Sequence, residues 1–228
     1  MIRIRRGPAP AELRKRQSAW TERWKRIRSQ RLNAPWATDS AKTLLQTALD
    51  PLAHGKCAFC ESTLGVTTYL EIEHYIAKSV NPEKTFEWEN LLPACRLCNG
   101  AKGDADHQGR LLKPDAEDPE PFFWLHPEGK LEPHPNLDDR QRRRAEETIR
   151  LLDLQRGPLC ENRMGTRRLV TRWLERAGQQ GRTVLRELRE EWESLVDPRA
   201  EYKLVIRRTL ELAGQPDLAE EDRRRFRG

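Results

Sequence analysis

The chain has 228 residues, of which 34% are charged and only 36% hydrophobic. That length suits one large domain or two small ones, and the low apolar share predicts a modest core beneath much solvated helix surface. No run approaches the roughly 20 apolar residues of a membrane span, and the charged start "MIRIRRGPAP" lacks the apolar segment of a secretory signal. A cytoplasmic protein with no membrane partner is therefore expected.

Net charge is +6, and it is concentrated. Residues 1–31 hold eleven Arg and Lys against Glu12 and Glu22, a surplus of nine that leaves the rest of the chain at −3. Such an arm attracts phosphate backbones or acidic partners, although a solvated helix face explains a charge run equally well.

Residues 1–54 read as a basic N-terminal helical region. Leu13, Trp20, Trp24, Ile27 and Leu32 recur at helical spacing within it, and "NAPW" breaks the pattern. A second helix follows, with Thr38 or Asp39 as N-cap, Leu44, Leu45, Ala48, Leu49 and Leu52 as its apolar face, and Gly55 beyond its end. Residues 55–110 change character: they are rich in Cys, Gly and β-formers. There "TTYLEIEH" reads as a strand with Leu70 and Ile72 on one face, "NLLPA" as a short extended piece, and "CRLCNGAKGD" as a short helix closed by Gly103. Residues 111–137 form an irregular Pro-rich connection, with two short strands around the "PEGK" turn. Residues 138–228 read as a C-terminal helical region. Its first helix carries Ala145, Ile149 and Leu152 and breaks at Gly157-Pro158. Further helices are expected near 159–178, 183–195, 199–214 and 216–226. The Arg-rich strings "DRQRRR" and "EEDRRRFRG" read as solvated surface. The fold class is thus α+β, mostly helical.

The chemistry lies in residues 55–110. Cys57-x-x-Cys60 and Cys95-x-x-Cys98 are separated by 34 residues. Each pair can grip one edge of a tetrahedron, so four thiolates predict a closed, structural Zn²⁺ site that staples a segment too small to hold itself by burial. A redox dithiol is the rival, but no βαβ context surrounds the pairs. Cys160 reads as a small buried apolar residue. Between and after the pairs come Glu73-His74, Asn90, Asn99 and Lys102. A lone strand histidine is more often a packing residue than a base, but its place between two zinc pairs reverses that weighting. His54, His126 and His134 read as capping or loop residues, and His107 as a loop residue near the core. Trp20, Trp24 and Trp88 read as core or interface anchors.

The string "LEIEH…N…CRLCNGAKG" resembles the zinc-stabilised branch of the HNH endonucleases, whose core is a β-hairpin plus helix around one catalytic metal (the ββα-metal fold). The flanking pieces "MIRIRRGPAPAEL", "LLKPDAEDP" and "AEETIRLLDLQRGPL" look like the HNH nuclease subunit of Septu-type and retron-associated anti-phage defence systems. The likeness runs in patches over residues 1–165. It implies that His74 is the general base, that Glu73 and Asn99 hold a catalytic Mg²⁺ or Mn²⁺, that Asn90 ties the loop between the strands, and that Lys102 meets a phosphate. Many relatives have Asp where Glu73 stands, which leaves Glu71 as a rival ligand. The resemblance further implies hydrolysis of nucleic acid, DNA favoured, and an ATPase subunit as partner, with the basic arm and the C-terminal helices as candidate docking elements. A non-catalytic zinc module needs only the cysteines and the arm; a toxin-like nuclease shares the chemistry and differs only in partner. One geometric demand follows. In a regular strand Glu73 and His74 point to opposite faces, so the strand must end or bulge there for both to serve one site.

Overall fold

The computed structural model describes residues 1, 3–65, 69–107, 109–178 and 185–227, the side chains of 185–187 and 226–227 excepted. Helix α1 (Ala11–Ser29) is polar over most of its surface, and one stripe anchors it. Leu13 and Ile27 are buried, and Trp20 and Trp24 are half-buried. The stripe packs on the tight turn Pro82–Phe86, with the Trp20 and Phe86 ring centroids 5.4 Å apart. Helix α2 (Asp39–Leu49) starts where Thr38 Oγ1 accepts a hydrogen bond from the Ala41 N–H at 3.3 Å, satisfying one orphan donor of its first turn. A tight turn, Asp50–Ala53, carries the chain beyond its last turn, and His54 as well as Gly55 takes a left-handed conformation there.

Strands β1 (Glu71–His74) and β2 (Leu91–Ala94) pair antiparallel, with Glu73 opposite Leu92 and His74 opposite Leu91. Helix α3 (Arg96–Lys102) follows directly and lies against β1, capped by the Cys95 sulfur at its start and by Gly103 (φ 65°) at its end. The strand expected over "TTYLEIEH" is thus shorter. Thr67 and Thr68 lie outside the described residues, and Leu70 precedes the ladder because β2 offers it no partner. As a result Leu70 and Ile72 do not share a face: each packs into a different core cluster.

Strands β3 (Phe123–Leu125) and β4 (Leu131–Pro133) form the expected second hairpin. Gly129 in its turn has φ 76°, and a Cβ there would lie 2.2 Å from the Cys160 carbonyl oxygen, so only glycine fits. Helices α4 (Asp139–Leu151), α5 (Gly157–Gly178), α6 (Leu185–Val196), α7 (Lys203–Leu212) and α8 (Pro216–Arg227) complete the chain. Asp138 and Gln141 make a reciprocal capping box on α4. The expected break falls at 152–156, and Pro158 is the second residue of α5, where its missing N–H costs nothing in a first turn. The expected start of α6 near residue 183 lies outside the described residues.

Three apolar clusters form the interior. The largest joins Ile4, the four paired cysteines, the β3–β4 hairpin, α4 and the start of α7. A second joins α1 and α2 to Phe86, Trp88 and Leu91. The third lies among α5 to α8, where Trp173 and Trp192 stack at 4.9 Å. Helix α7 is buried all round from Lys203 to Leu210. Its charged residues survive there because they are paired: Arg207 Nε lies 2.7 Å from Asp222 and its Nη1 2.6 Å from Glu120. Asp222 and Arg223 belong to "EEDRRRFRG", so that string is not solvated surface throughout. Asp222 is fully buried beside Lys203 and Arg207, and Arg223 reaches Glu120 at 2.7 Å. No helix of the described residues is long and apolar enough to cross a membrane.

Candidate active site and metal centre

The four cysteine sulfurs Cys57, Cys60, Cys95 and Cys98 lie within 4.8 Å of one another, and all four residues are buried. Cys60 Sγ and Cys95 Sγ are 3.8 Å apart. Metal–sulfur bonds of about 2.3 Å in a tetrahedron set the sulfurs roughly 3.8 Å apart, so this spacing fits one tetrahedral ion. The surroundings suit thiolates. The Cys98 N–H donates to Cys95 Sγ at 3.4 Å, Ser62 Oγ lies 3.4 Å from Cys60 Sγ, and Arg156 Nη2 donates to Cys98 Sγ at 3.5 Å. The guanidinium offsets the negative charge that four thiolates leave around a divalent cation.

A cleft of ≈ 220 Å³ opens beside this knuckle, lined among others by Glu73, His74, Lys78, Asn99, Trp24 and Arg28. The demand on β1 is met by its ending. His74 is its last residue, with Glu73 turned toward α3 and His74 toward the loop from 75 to 90, yet both border the cleft. His74 is 4% exposed, and its Nε2 lies 2.9 Å from the Thr85 carbonyl oxygen. A carbonyl only accepts, so Nε2 carries the proton and Nδ1 keeps the lone pair. Burial, aided by the Lys78 ammonium 3.5 Å from Nδ1, holds the imidazole well below its ordinary range and therefore neutral. Trp36 meets the ring edge-on at 4.8 Å.

Glu73 is 1% exposed, and burial pushes its carboxyl up to about 7 against the pull of Lys102. Lys102 Nζ lies 2.6 Å from Glu73 Oε1 and donates to the His74 carbonyl at 2.8 Å. Glu73 Oε1 is therefore held in a buried ion pair with Lys102 and has no other protein partner among the described residues. A carboxylate has about four lone-pair sites, so one ion pair leaves others to offer a hard cation. Asn99 borders the cleft and donates Nδ2 to Glu71 Oε2 at 2.6 Å, which leaves its Oδ1 free of that bond and able to accept a cation. Glu71 itself does not border the cleft; it orients Asn99. The donor set of Glu73 and Asn99 therefore fits an oxygen-ligated divalent ion.

Asn90 closes the loop between the strands. Its Oδ1 accepts from the Ile76 N–H at 2.7 Å, and its Nδ2 donates to the carbonyls of Ile76 (3.0 Å) and Lys84 (2.9 Å). Lys102, expected at a phosphate, instead points inward with 1% of its side chain exposed, because it lies on the face of α3 that packs on β1, where Glu73 supplies the counter-charge. His107 is buried with Nε2 2.9 Å from the Lys102 carbonyl, at the end of α3. His126 and His134 accept local backbone N–H groups in loops. Trp20 and Trp88 are anchors in the second cluster, and Trp88 Nε1 donates to the Gly7 carbonyl at 2.9 Å. Sequence reasoning missed Arg28, Trp36, Lys78, Thr85 and Arg156. Only Arg28 carried a signal, one turn beyond Trp24 on the same helix face.

Residues 57–105 match the family model of the HNH endonucleases, and this stretch spans both cysteine pairs, β1, β2 and α3. The segment is an HNH endonuclease domain. Beyond it, the chain is similar to the Septu protein PtuB of Bacillus thuringiensis, with 31% identity over 121 residues, 52% of this chain and 44% of that protein. It is likewise 28% identical over 156 residues to the Septu protein PtuB of Bacillus mycoides (strain KBAB4), covering 55% of this chain and 50% of that one. The chain spans about half the length of the curated relatives it matches.

Proposed function

We propose that this chain is a metal-dependent endonuclease that hydrolyses phosphodiester bonds of nucleic acid, DNA in the first instance, in defence against phage. The observation that carries the reading is the setting of His74: a buried, neutral imidazole whose proton is fixed on Nε2 by the Thr85 carbonyl and whose Nδ1 faces a cleft shared with Glu73 and Asn99. A packing histidine needs neither a fixed tautomer nor a cleft shared with a buried carboxylate and an amide, and here the second nitrogen meets, among the described residues, only the Lys78 ammonium, at 3.5 Å.

His74 Nδ1 takes the proton from the attacking water, and the fixed tautomer keeps that nitrogen available. Mg²⁺ or Mn²⁺ held by Glu73 and Asn99 would supply electrostatic stabilisation of the leaving oxygen. Glu71 sets the Asn99 amide, and Asn90 fixes the loop that delivers Thr85. The four cysteines would hold one structural Zn²⁺, which anchors α3 and hence Asn99, the residue directly after Cys98. The similarity to Septu proteins supports a place in a defence assembly, with an ATPase as the partner class. The expected residence is the cytoplasm.

The test is plasmid cleavage by the purified chain with Mg²⁺, Mn²⁺ or EDTA. Cleavage should need the divalent ion, and His74→Ala should lower it by about 10²–10⁴-fold with zinc content unchanged. A His74→Ala protein that cleaves at the wild-type rate removes His74 as base. Co-purification with a co-expressed ATPase tests the partner.

A further inference from the structure

We propose that Lys78 and Arg28 form a phosphate clamp at the mouth of this cleft, and that helix α1 is a wall of the nucleic-acid groove. The inference rests on the nuclease reading and names the substrate contacts of that site. With Lys102 turned inward, the cleft draws its cations from elsewhere. Lys78 Nζ lies 3.5 Å from His74 Nδ1 and 5.4 Å from the centre of the Trp36 ring. Arg28 reaches across from α1: its Nη1 donates to the Lys78 carbonyl at 3.0 Å, and its guanidinium carbon lies 6.0 Å from the Trp24 ring. Both side chains border the cleft that Glu73 and Asn99 also line.

Charge pairing separates these two cations from their neighbours. On α1, Arg16 pairs with Glu12 and Lys25 with Glu22. Arg28 and Lys78 have no carboxylate partner within salt-bridge distance among the described residues, although Lys78 is half-buried. The carboxylates of Glu73 and Asp104 act on Lys78 only from beyond salt-bridge distance, so the half-buried ammonium can still take an anion in direct contact. Two carboxylates border the cleft, Glu73 and Asp104, and the Asp104 carbonyl accepts from Ser79 Oγ at 2.7 Å, beside Lys78. The two cations thus border the same recess as the metal-ligand set of Glu73 and Asn99. A diester phosphate bound in this recess would meet Lys78 next to the water that His74 activates, since Lys78 Nζ and His74 Nδ1 are 3.5 Å apart. The recess, ≈ 220 Å³, suits a phosphate and its sugar rather than a protein surface. An acidic protein would find its cations on the outer face of α1, at Arg14, Lys15 and Arg26, which are exposed.

The experiment measures binding of a fluorescent DNA duplex, and of the RNA of the same sequence, to the full chain without divalent metal over a series of KCl concentrations. The proteins are wild type, Lys78→Gln, Arg28→Gln, the double variant and Lys78→Arg. Zinc content and thermal midpoint are checked in each. Each lost phosphate contact should flatten the plot of log affinity against log salt by about 0.9 on duplex DNA. Lys78→Arg should keep the wild-type slope. With Mn²⁺ present, Lys78→Gln should raise KM and lower kcat together. Wild-type slopes in both Gln variants, with wild-type binding and cleavage intact, overturn the clamp and leave the nuclease reading standing. A wild-type chain that neither binds nor cleaves either nucleic acid overturns both. Lower activity at an unchanged slope assigns Arg28 and Lys78 to support of the loop and also overturns the clamp.

Discussion

Asn90→Ala separates a residue that positions the site from one that only fills space. The amide makes three hydrogen bonds, two to the backbone of Ile76 and one to the Lys84 carbonyl, and Asn90 is 3% exposed. Each such bond contributes about 1 kcal/mol net, and a buried N–H left without a partner costs about 1–3 kcal/mol. The part-buried Ile76 N–H is that donor, and with the two lost bonds to carbonyls the variant should lose about 3–5 kcal/mol. The loop from 75 to 90 also carries Thr85, whose carbonyl holds His74 Nε2 at 2.9 Å. Displacing that carbonyl by an ångström should lower kcat by about 10²-fold. Stability is read from urea denaturation of zinc-loaded protein by tryptophan fluorescence. Positioning is read from the slowly exchanging His74 Nε2–H resonance, which should disappear in the variant. A loss within about 0.5 kcal/mol, the range of an ordinary surface substitution, together with a retained resonance, would refute the reasoning.

Three other outcomes are expected. Metal analysis should find about one zinc per chain, and Cys95→Ser should lose it together with cooperative unfolding; a folded, zinc-free variant removes the staple. Lys102→Met leaves Glu73 without its buried counter-charge and should cost about 3–5 kcal/mol. Saturating Mn²⁺ should return about 2.7 kcal/mol at a hundred times its dissociation constant, and no Mn²⁺-dependent rise in the thermal midpoint would exclude Glu73 as a ligand. Burial works to raise the Glu120 carboxyl, but Arg207 and Arg223 outweigh it and hold it below the ordinary range. A lowered folded pKa contributes stability that is present above the unfolded value of about 4.3 and is lost as pH falls through the folded one. Glu120→Gln should therefore be less stable at neutral pH and show a flatter acid limb in a pH series of denaturation midpoints; an unchanged limb assigns acid sensitivity to other groups.

The cysteine pairs were legible because their spacing is local and a tetrahedral ion needs it. The ββα order, the second hairpin and most helices were legible from period and turn chemistry. Helix α7 was legible as a helix but not as a buried one: Lys203, Arg207 and Arg208 mark a solvated face until their partners are known, Asp222 for Lys203 and, more than 80 residues away, Glu120 for Arg207 and the Phe123 carbonyl for Arg208. Lys102 misled for the same reason. Its spacing from Asn99 was right, but whether it faces solvent or Glu73 depends on how α3 rolls on β1. Lys78 and Arg28 come from separate segments, and only the packing of α1 on the 82–86 turn brings them to one cleft.

The stretch that matches the family model ends at residue 105, but its mechanical support does not. Tyr202 OH meets Ser62 Oγ at 3.0 Å, Lys56 Nζ donates to the carbonyls of Pro198 (2.7 Å) and Ala200 (2.8 Å), and Glu201 accepts from the Thr63 N–H. The first cysteine knuckle is thus buttressed by residues some 140 positions later. The motif is inherited as a short string but operates as part of a clasped whole. Transplanting residues 57–105 into another scaffold would carry the catalytic vocabulary without the grammar that holds it in order. Insertions between 105 and 195 would be tolerated in evolution only where they leave that clasp shut.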